Sequence, residues 1–318
     1  MAKGVTNWSR MSHINKQNTD MQSSMNLLEA TGQYKVLTRV PESLSAEKLP
    51  STKQFKAAVI DLETTGLDPR NDEIIEIGTL IVTFTNEDGF IAVDFADNQL
   101  QQPNNPISEE ITNITGITNE DVAGKSIDWV QLEDKLADVA LIICHNASFD
   151  RNFMELQAPE HFSKLIQSKA FGCTSRGINW KALGFEGAKL EYLNLKMGYF
   201  YDGHRALVDC WATLNLLQQR PEAFEELKNG VRSKERLICA IDADFDKKDE
   251  LKKRHYRWSD GRKNLPKCWW ITIPEQDYQD ELDYLKDEIY GGRQVSLPTH
   301  VITAHSRYSY RCEKMTQT

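Results

Sequence analysis

The sequence predicts an α/β fold built on a mixed sheet, followed by a small C-terminal α+β unit. Three observations carry this. AAVIDLE (Ala57–Glu63) is a continuous apolar run ending in acids, the pattern of a buried strand. Two β-rich runs come next at short range, IIEIGTLIVTF (Ile74–Phe84) and, after an Asn86–Gly89 turn, FIAVDF, which favours an antiparallel meander. A second apolar run, VALIIC (Val139–Cys144), comes only after helical stretches, and it is parallel to the first if a helix crosses between them.

Taken in order, residues 1 to about 25 are polar, aperiodic and rich in Asn, Ser, Gln and Lys, which reads as a disordered arm. Between Met25 and Val40, NLLEAT suits a short helix and YKVLTRV a strand, and Pro41 to Thr52 reads as a linker. TTGLDPRNDE, after the first buried strand, supplies Gly, Asp and Pro turn chemistry. Ser108, Asn119 and Asp128 are each placed to cap a helix, the third running to about Asp138. Ala206 to about Gln219 is a further helix with Leu207, Cys210, Leu214 and Leu217 near one face, and Pro221 and Gly230 punctuate the next stretch of chain. Beyond it, RLICAIDA reads as a strand, DKKDELKKR as a helix, and YRWSD and KCWWITI as strands around a Gly261 turn. EQDYQDELDYLKDEIY reads as a long acidic helix ended by Gly291–Gly292, and VITAHSRYSYR as a last alternating strand. The expected organisation is an arm and linker with a short strand over 1–52, a main α/β domain over 53–230, and a small α+β domain over 231–318.

Composition narrows the function classes. The chain is 40% hydrophobic and 27% charged, an ordinary globular balance. No apolar run approaches the roughly 20 residues of a membrane span, and MAKGVTNWSRM has no apolar signal core, so a cytoplasmic protein without a membrane partner is expected. The six cysteines are scattered without a C-x-x-C pair, which argues for free thiols rather than disulfides or structural zinc. A net charge of −9 speaks against a broad electrostatic nucleic-acid binder, but not against an enzyme whose clustered carboxylates hold cations.

Three segments carry candidate chemistry. Asp61 and Glu63, two apart on a strand, leave the same face at a strand end, where an α/β fold commonly places its site. Asp150 ends HNASFD directly after the second buried strand and opens a helix; His145 reads as a loop histidine and Asp150, alone, as an ordinary first-turn acid. His204 sits at a Gly203 turn and Asp209 in the helix after it. Singly, each segment is also what a solvated strand end or capped helix looks like. Jointly, three acids from two strand ends, a helical acid and one histidine suit two hard cations held about 4 Å apart for phosphodiester hydrolysis, with the histidine taking a proton from water.

IDLETTGLD, HNASFD and HRALVD resemble the three motifs of the DEDD-superfamily 3′→5′ exonucleases, in the histidine-containing branch that includes the epsilon proofreading subunit of bacterial DNA polymerase III. DEIIEIG, ITGITNEDVAG and YKVLTRVPE are also similar to epsilon-like text, and the likeness covers roughly residues 30–220. The resemblance implies a ribonuclease H-like, five-stranded mixed sheet flanked by helices. It implies a 3′→5′ exonuclease releasing nucleoside 5′-monophosphates with two divalent ions, Mg²⁺ or Mn²⁺. Asp61, Glu63 and Asp209 would bind one ion, Asp61 and Asp150 the other, and His204 would be the general base. Thr64, Thr65 and Gly66 would lie beside the 3′-terminal nucleotide, Leu67 would wedge against its base, and Asn146 and Phe149 would line the floor. The partner implied is a nucleic acid with a free 3′ end, DNA favoured over RNA. An RNA 3′-end trimmer, a binding module with an inactive site, and a scaffold docking a replication polymerase are the competing readings.

In the C-terminal unit, KKRHYRWSDGRKNLPKCWW interleaves basic and aromatic residues. Lys252, Lys253, Arg254, Arg257, Arg262 and Lys263 could grip a strand, or Trp258, Trp269 and Trp270 could simply fill the unit's own core; the flanking acids favour the second reading. Gln294-Val-Ser-Leu297 faintly resembles peptides that dock on a replication sliding clamp, though Pro298 stands where an aromatic is expected.

Overall fold

The structure is a computed structural model that describes residues 21–44, 52–261 and 265–313. Most of the expected arm, much of the linker, and Arg262 and Lys263 lie outside the described residues. Residues 21–30 (α1) are helical, so the helix takes in Met21–Ser24, assigned to the arm by composition. β1 (Thr38–Arg39) is the short remnant of the YKVLTRV strand.

A five-stranded sheet forms the centre, from β2 (Phe55–Thr64), β3 (Ile74–Thr85), β4 (Gly89–Leu100), then α2 (Glu109–Thr115), α3 (Asn119–Val122) and α4 (Trp129–Leu136), and β5 (Leu141–Cys144). It continues through α5 (Ala147–Gln157), α6 (Glu160–Ser168) and β6 (Ala170–Cys173). The order is β4-β3-β2-β5-β6; β3 is antiparallel to both neighbours, while β2, β5 and β6 run parallel. This is the mixed sheet flanked by helices that the resemblance implies. β6, AFGC, has too little periodicity to be read as a strand from sequence. Ser108 and Asp128 cap α2 and α4 as expected; at α3 the cap is Thr118, in a capping box with Asp121, and Asn119 instead bonds to Ile107.

α7 (Leu190–Lys196) and β7 (Tyr199–Phe200), which pairs with β1, lead into α8 (Ala206–Gln219) and α9 (Pro221–Arg232). α9 carries Pro221 in its first turn and runs through Gly230, which does not end it. α8 is buried almost all round, more than a one-face pattern suggests. Its first turn rests on β3. A Cβ at Gly78 would sit 2.3 Å from the backbone carbon of Ala206, so only a residue without a side chain admits the helix. Beside it the fully buried Glu76 accepts hydrogen bonds from the Arg205 guanidinium (2.8 Å), the Ala206 N–H (2.8 Å) and the Asn98 amide (2.7 Å).

The C-terminal unit is a second sheet, order β11-β8-β10-β9, from β8 (Glu235–Ala240), α10 (Lys248–Lys253), β9 (Arg257–Asp260), β10 (Lys267–Pro274), α11 (Tyr278–Tyr284), which continues as a π turn to Ile289, and β11 (Thr299–Ile302). One face packs on the helices through Ile238, Leu251, Leu285 and Trp269. Val295 and Leu297, from the clamp-like tetrapeptide, join that same core. The expected last strand stops at Ile302. Residues 303–313 instead strap across α5, because their carbonyls are claimed by a buried cation. Arg151, fully buried, donates to the carbonyls of Ala304, His305 and Arg307 and pairs with Glu155 at 2.8 Å. Arg311 pairs with the same Glu155, and Asn152 bonds to the backbone of Tyr308 and Tyr310.

Both contacts can be tested by unfolding in urea. Gly78→Ala should cost at least about 1–3 kcal/mol, because the helix backbone must move. A chain ending at Ile302 should lose about 3–5 kcal/mol, since it strands the Arg151–Glu155 pair without its tail partners; an unchanged denaturation midpoint would count against the strap.

Candidate active site

β2 brings Asp61 and Glu63 to one face, with Leu62 turned to the opposite core. Across the ladder Asp61 stands opposite Gly78 and Glu63 opposite Glu76, so the residues that seat α8 are the cross-strand partners of the acids. Seating α8 there delivers Asp209. Oxygens of Asp61, Glu63 and Asp209 lie within 4.8 Å of one another. Asp150, buried in the first turn of α5, lies near the N–H of Leu62, between the two β2 acids, and near the Cys144 thiol.

Burial and mutual repulsion oppose ionisation of this cluster. Burial, then the nearby Asp150, Asp209 and Glu63 charges, pushes Asp61 well above the usual carboxylate range. Burial, reinforced by Asp209 and Glu76, raises Glu63 to about 8. Asp150 is raised by burial to about 7, the nearby N–H and thiol groups holding it back. Asp209 is raised by burial to about 6, restrained by the N–H groups of Arg205 and His204 and by the Tyr201 hydroxyl. An all-oxygen donor set with unrelieved repulsion suits hard divalent cations.

His204 sits at the turn before α8 in the left-handed region, φ 64°, which is rare outside glycine and concentrates at functional sites. The N–H of the next residue, Arg205, donates to Asp209 at 3.2 Å, and the His204 ring is exposed, without a hydrogen bond to a described residue. His145 is different. Its ring is fixed between Thr174 Oγ1 and the Ala188 carbonyl, both at 2.8 Å, and burial lowers its pKa to about 4, so it is a neutral structural histidine, as read from the sequence.

The loop after β2 is pinned from within. Thr64 donates to the Gly66 carbonyl, Thr65 exchanges hydrogen bonds with Glu73, and Asp72 accepts from the Asp68 N–H. A Cβ on Gly66 would meet the Asp72 carboxylate at 2.5 Å. Held this way, the loop projects Leu67, 86% exposed. Asn146 is exposed at the start of α5, while Phe149 is half-buried and packs on Phe153. Tyr201, Glu76 and Gly78 were not singled out by sequence. Glu76 and Gly78 do lie inside DEIIEIG, but as text rather than as contacts.

Residues 58–217 match the family model for exonuclease, 160 of the 318 residues. The chain is 42% identical over 100 residues to DNA polymerase III PolC-type of Thermotoga petrophila, covering 31% of this chain and 7% of that protein. It is 28% identical over 195 residues to the PolC-type enzyme of Staphylococcus haemolyticus, covering 56% and 12%. The chain therefore spans only a small part of these relatives' length. A solved structure of exonuclease X with 5′ overhanging duplex DNA aligns with a TM-score of 0.41 at 23% identity, over 54% of this chain and 98% of that one.

The raised carboxylates set a pH dependence. Unfolded carboxyls titrate near about 4. In the window from there up through 6 to 8 the folded chain keeps protons that the unfolded chain has lost. Without metal, stability should therefore be highest at the acid end of that window and fall as pH rises through it. Asp61→Asn should raise the metal-free melting temperature at pH about 8. Added Mn²⁺ should stabilise wild type far more at that pH than at about 5. Equal metal-induced shifts at both pH values would overturn this account.

Proposed function

The chain belongs to the exonuclease family and is a 3′→5′ exonuclease, a phosphodiester hydrolase; on that premise we propose that it removes nucleoside 5′-monophosphates from the 3′ ends of single-stranded DNA with two divalent ions. The observation that carries the proposal is the meeting of Asp61, Glu63 and Asp209 within 4.8 Å, inside the matched residues. DNA is favoured because the PolC-type relatives are DNA polymerases by name. A proofreading or repair role in the cytoplasm belongs to the same reading, as does a division into an exonuclease domain over 53–230 and a C-terminal domain over 231–318. Among the described residues no helix is long and apolar enough to cross a membrane.

Asp61, Glu63 and Asp209 would hold one ion, and Asp61 and Asp150 the other. Bound there, Mg²⁺ or Mn²⁺ would supply positive charge to the attacking and leaving oxygens. The protein's own residues do the rest. Glu76 and Gly78 set the place of Asp209, and the Tyr201 hydroxyl orients its carboxylate. Exposed and without a hydrogen bond to any described residue, the His204 ring is free to accept the proton of the attacking water at its unprotonated nitrogen. Thr64, Thr65 and Gly66 flank the terminal nucleotide, Leu67 wedges against its base, and Asn146 and Phe149 form the floor.

Release of mononucleotides from internally labelled single-stranded DNA, with RNA run in parallel, is the direct test. Asp61→Ala and Asp209→Ala should abolish release. His204→Ala should slow kcat by about 10²–10⁴-fold with KM nearly unchanged. Full activity in any of the three would remove that residue's assignment, and faster release from RNA would make the chain an RNA trimmer. Leu67→Ala should raise KM while sparing unfolding stability, as its exposure requires.

A further inference from the structure

The C-terminal sheet has one face covered by α10 and α11. Its other face is also apolar, carrying Leu237, Cys239, Cys268 and Ile302 with Trp270 beside them. An antiparallel sheet ordinarily turns a polar second face to water. Here that face forms one wall of a groove of about 800 Å³, whose opposite wall is α5 and the strap of residues 308–312.

The groove's charge is opposite to that of the chain. Arg176, Arg257 and Arg307 line it with His255, against Glu235 as the single acid of the lining. Glu235 is already neutralised by Arg307 at 2.6 Å. Arg176 and Arg257 are exposed and form no ion pair with any described residue. The Arg257 guanidinium lies over the Trp270 ring, 5.1 Å from its centroid. Lys252 and Arg254, the other sequence candidates for gripping a strand that have described contacts, do something else. Lys252 lies over Trp269, and Arg254 pairs with the buried Glu281 and stacks on Tyr284. The basic-aromatic segment thus divides, and of its described residues His255, Arg257 and Trp270 line the groove.

Position links the groove to the carboxylates. Ser148 and Asn152 form part of its wall, and Ser148 lies two residues from Asp150 in the first turn of α5. Arg70, within the pinned loop that projects Leu67, stacks on Tyr310 of the strap at 5.0 Å. The groove thus shares α5 with Asp150 and, through the Arg70–Tyr310 contact, adjoins the loop that carries Leu67.

We propose that this groove binds the unpaired strand 5′ of the nucleotide being removed, with Arg176 and Arg257 on its phosphates and Trp270 as a stacking surface for a base. This rests on the exonuclease reading above. A single strand is the form that fits, because only unpaired bases can offer their faces to an aromatic side chain, while arginines track the backbone without reading sequence. It gives the C-terminal unit a substrate role: length-dependent grip in an otherwise acidic protein.

The test compares a dinucleotide, which reaches only the carboxylates, with an oligothymidylate of about fifteen nucleotides, within the span such grooves cover. Both are assayed in the full chain with Mn²⁺. Wild type should show a higher kcat/KM for the long substrate. In Arg176→Gln/Arg257→Gln, two exposed positions outside any described ion pair, the long-to-short ratio should fall about tenfold or more. The slope of log Kd against log salt should become shallower by roughly 1.4, about 0.7 per lost phosphate contact. Trp270→Ala should lower the same ratio and Trp270→Phe should restore it, which separates lost stacking from a damaged fold. An unchanged ratio and slope in the double arginine variant would overturn the proposal, as would a wild type that cleaves both substrates with equal kcat/KM. A wild type that cleaves neither would instead sink the exonuclease reading, and this inference with it.

Discussion

The contact between the first turn of α8 and β3 is the constraint on which the centre depends. Gly78 offers no side chain, so the helix backbone comes down onto the strand. Glu76, two residues earlier on the same face, takes the free N–H of Ala206 and the Arg205 guanidinium. A buried carboxylate at a helix N-terminus satisfies orphan N–H groups and the positive end of the helix together. Because Glu76 and Gly78 are the ladder partners of Glu63 and Asp61, one register both seats the helix and brings Asp209 to the β2 acids. A slip of one residue would turn every one of these side chains to the other face.

The second acid-bearing helix is held by distant sequence. α5 carries Asp150 toward the sheet and the buried Arg151 toward the strap, where carbonyls of Ala304, His305 and Arg307 take three of its five N–H donors. The Phe171 ring of β6 lies against its guanidinium, and Glu155 pairs with its Nε, so the buried charge is compensated. Such an arrangement is weak as a source of stability but costly to break from one side. The C-terminal unit is consequently tied to the helix that presents Asp150. The groove lies between α5 with its strap and this sheet, whose second face carries the buried Leu237, Cys239, Cys268 and Ile302.

Electrostatics and packing pull in opposite directions at the site. The fold drives Asp61, Glu63, Asp150 and Asp209 together at distances their charges resist, and Arg205, whose charge lowers Glu63, is committed to Glu76. The surrounding sheet, with β3 wholly buried, holds the acids in place against this repulsion. A left-handed backbone at His204 is a smaller instance of the same thing, a local cost carried at the turn that leads into the helix of Asp209.

The local chemistry of the chain determined the first strands, the meander, the caps at Ser108 and Asp128, the helix over Ala206–Gln219, and the candidate acids, since periodicity, turn residues and the Asp-x-Glu spacing are all short-range signals. Three motifs of that short-range kind were also enough for the family. What the sequence could not settle is what depends on partners far along the chain. β6 is a strand because β5 lies beside it, not because AFGC prefers to be one. VITAHSRYSYR (Val301–Arg311) alternates like a strand, yet past Ile302 Arg151 takes its carbonyls and makes it a strap. Gly78 and Glu76 look like ordinary strand residues until Ala206 and Arg205, well over a hundred residues later, come down on them. Tertiary structure decided these points because each turns on which donor or backbone atom arrives from elsewhere, and no local pattern encodes that arrival.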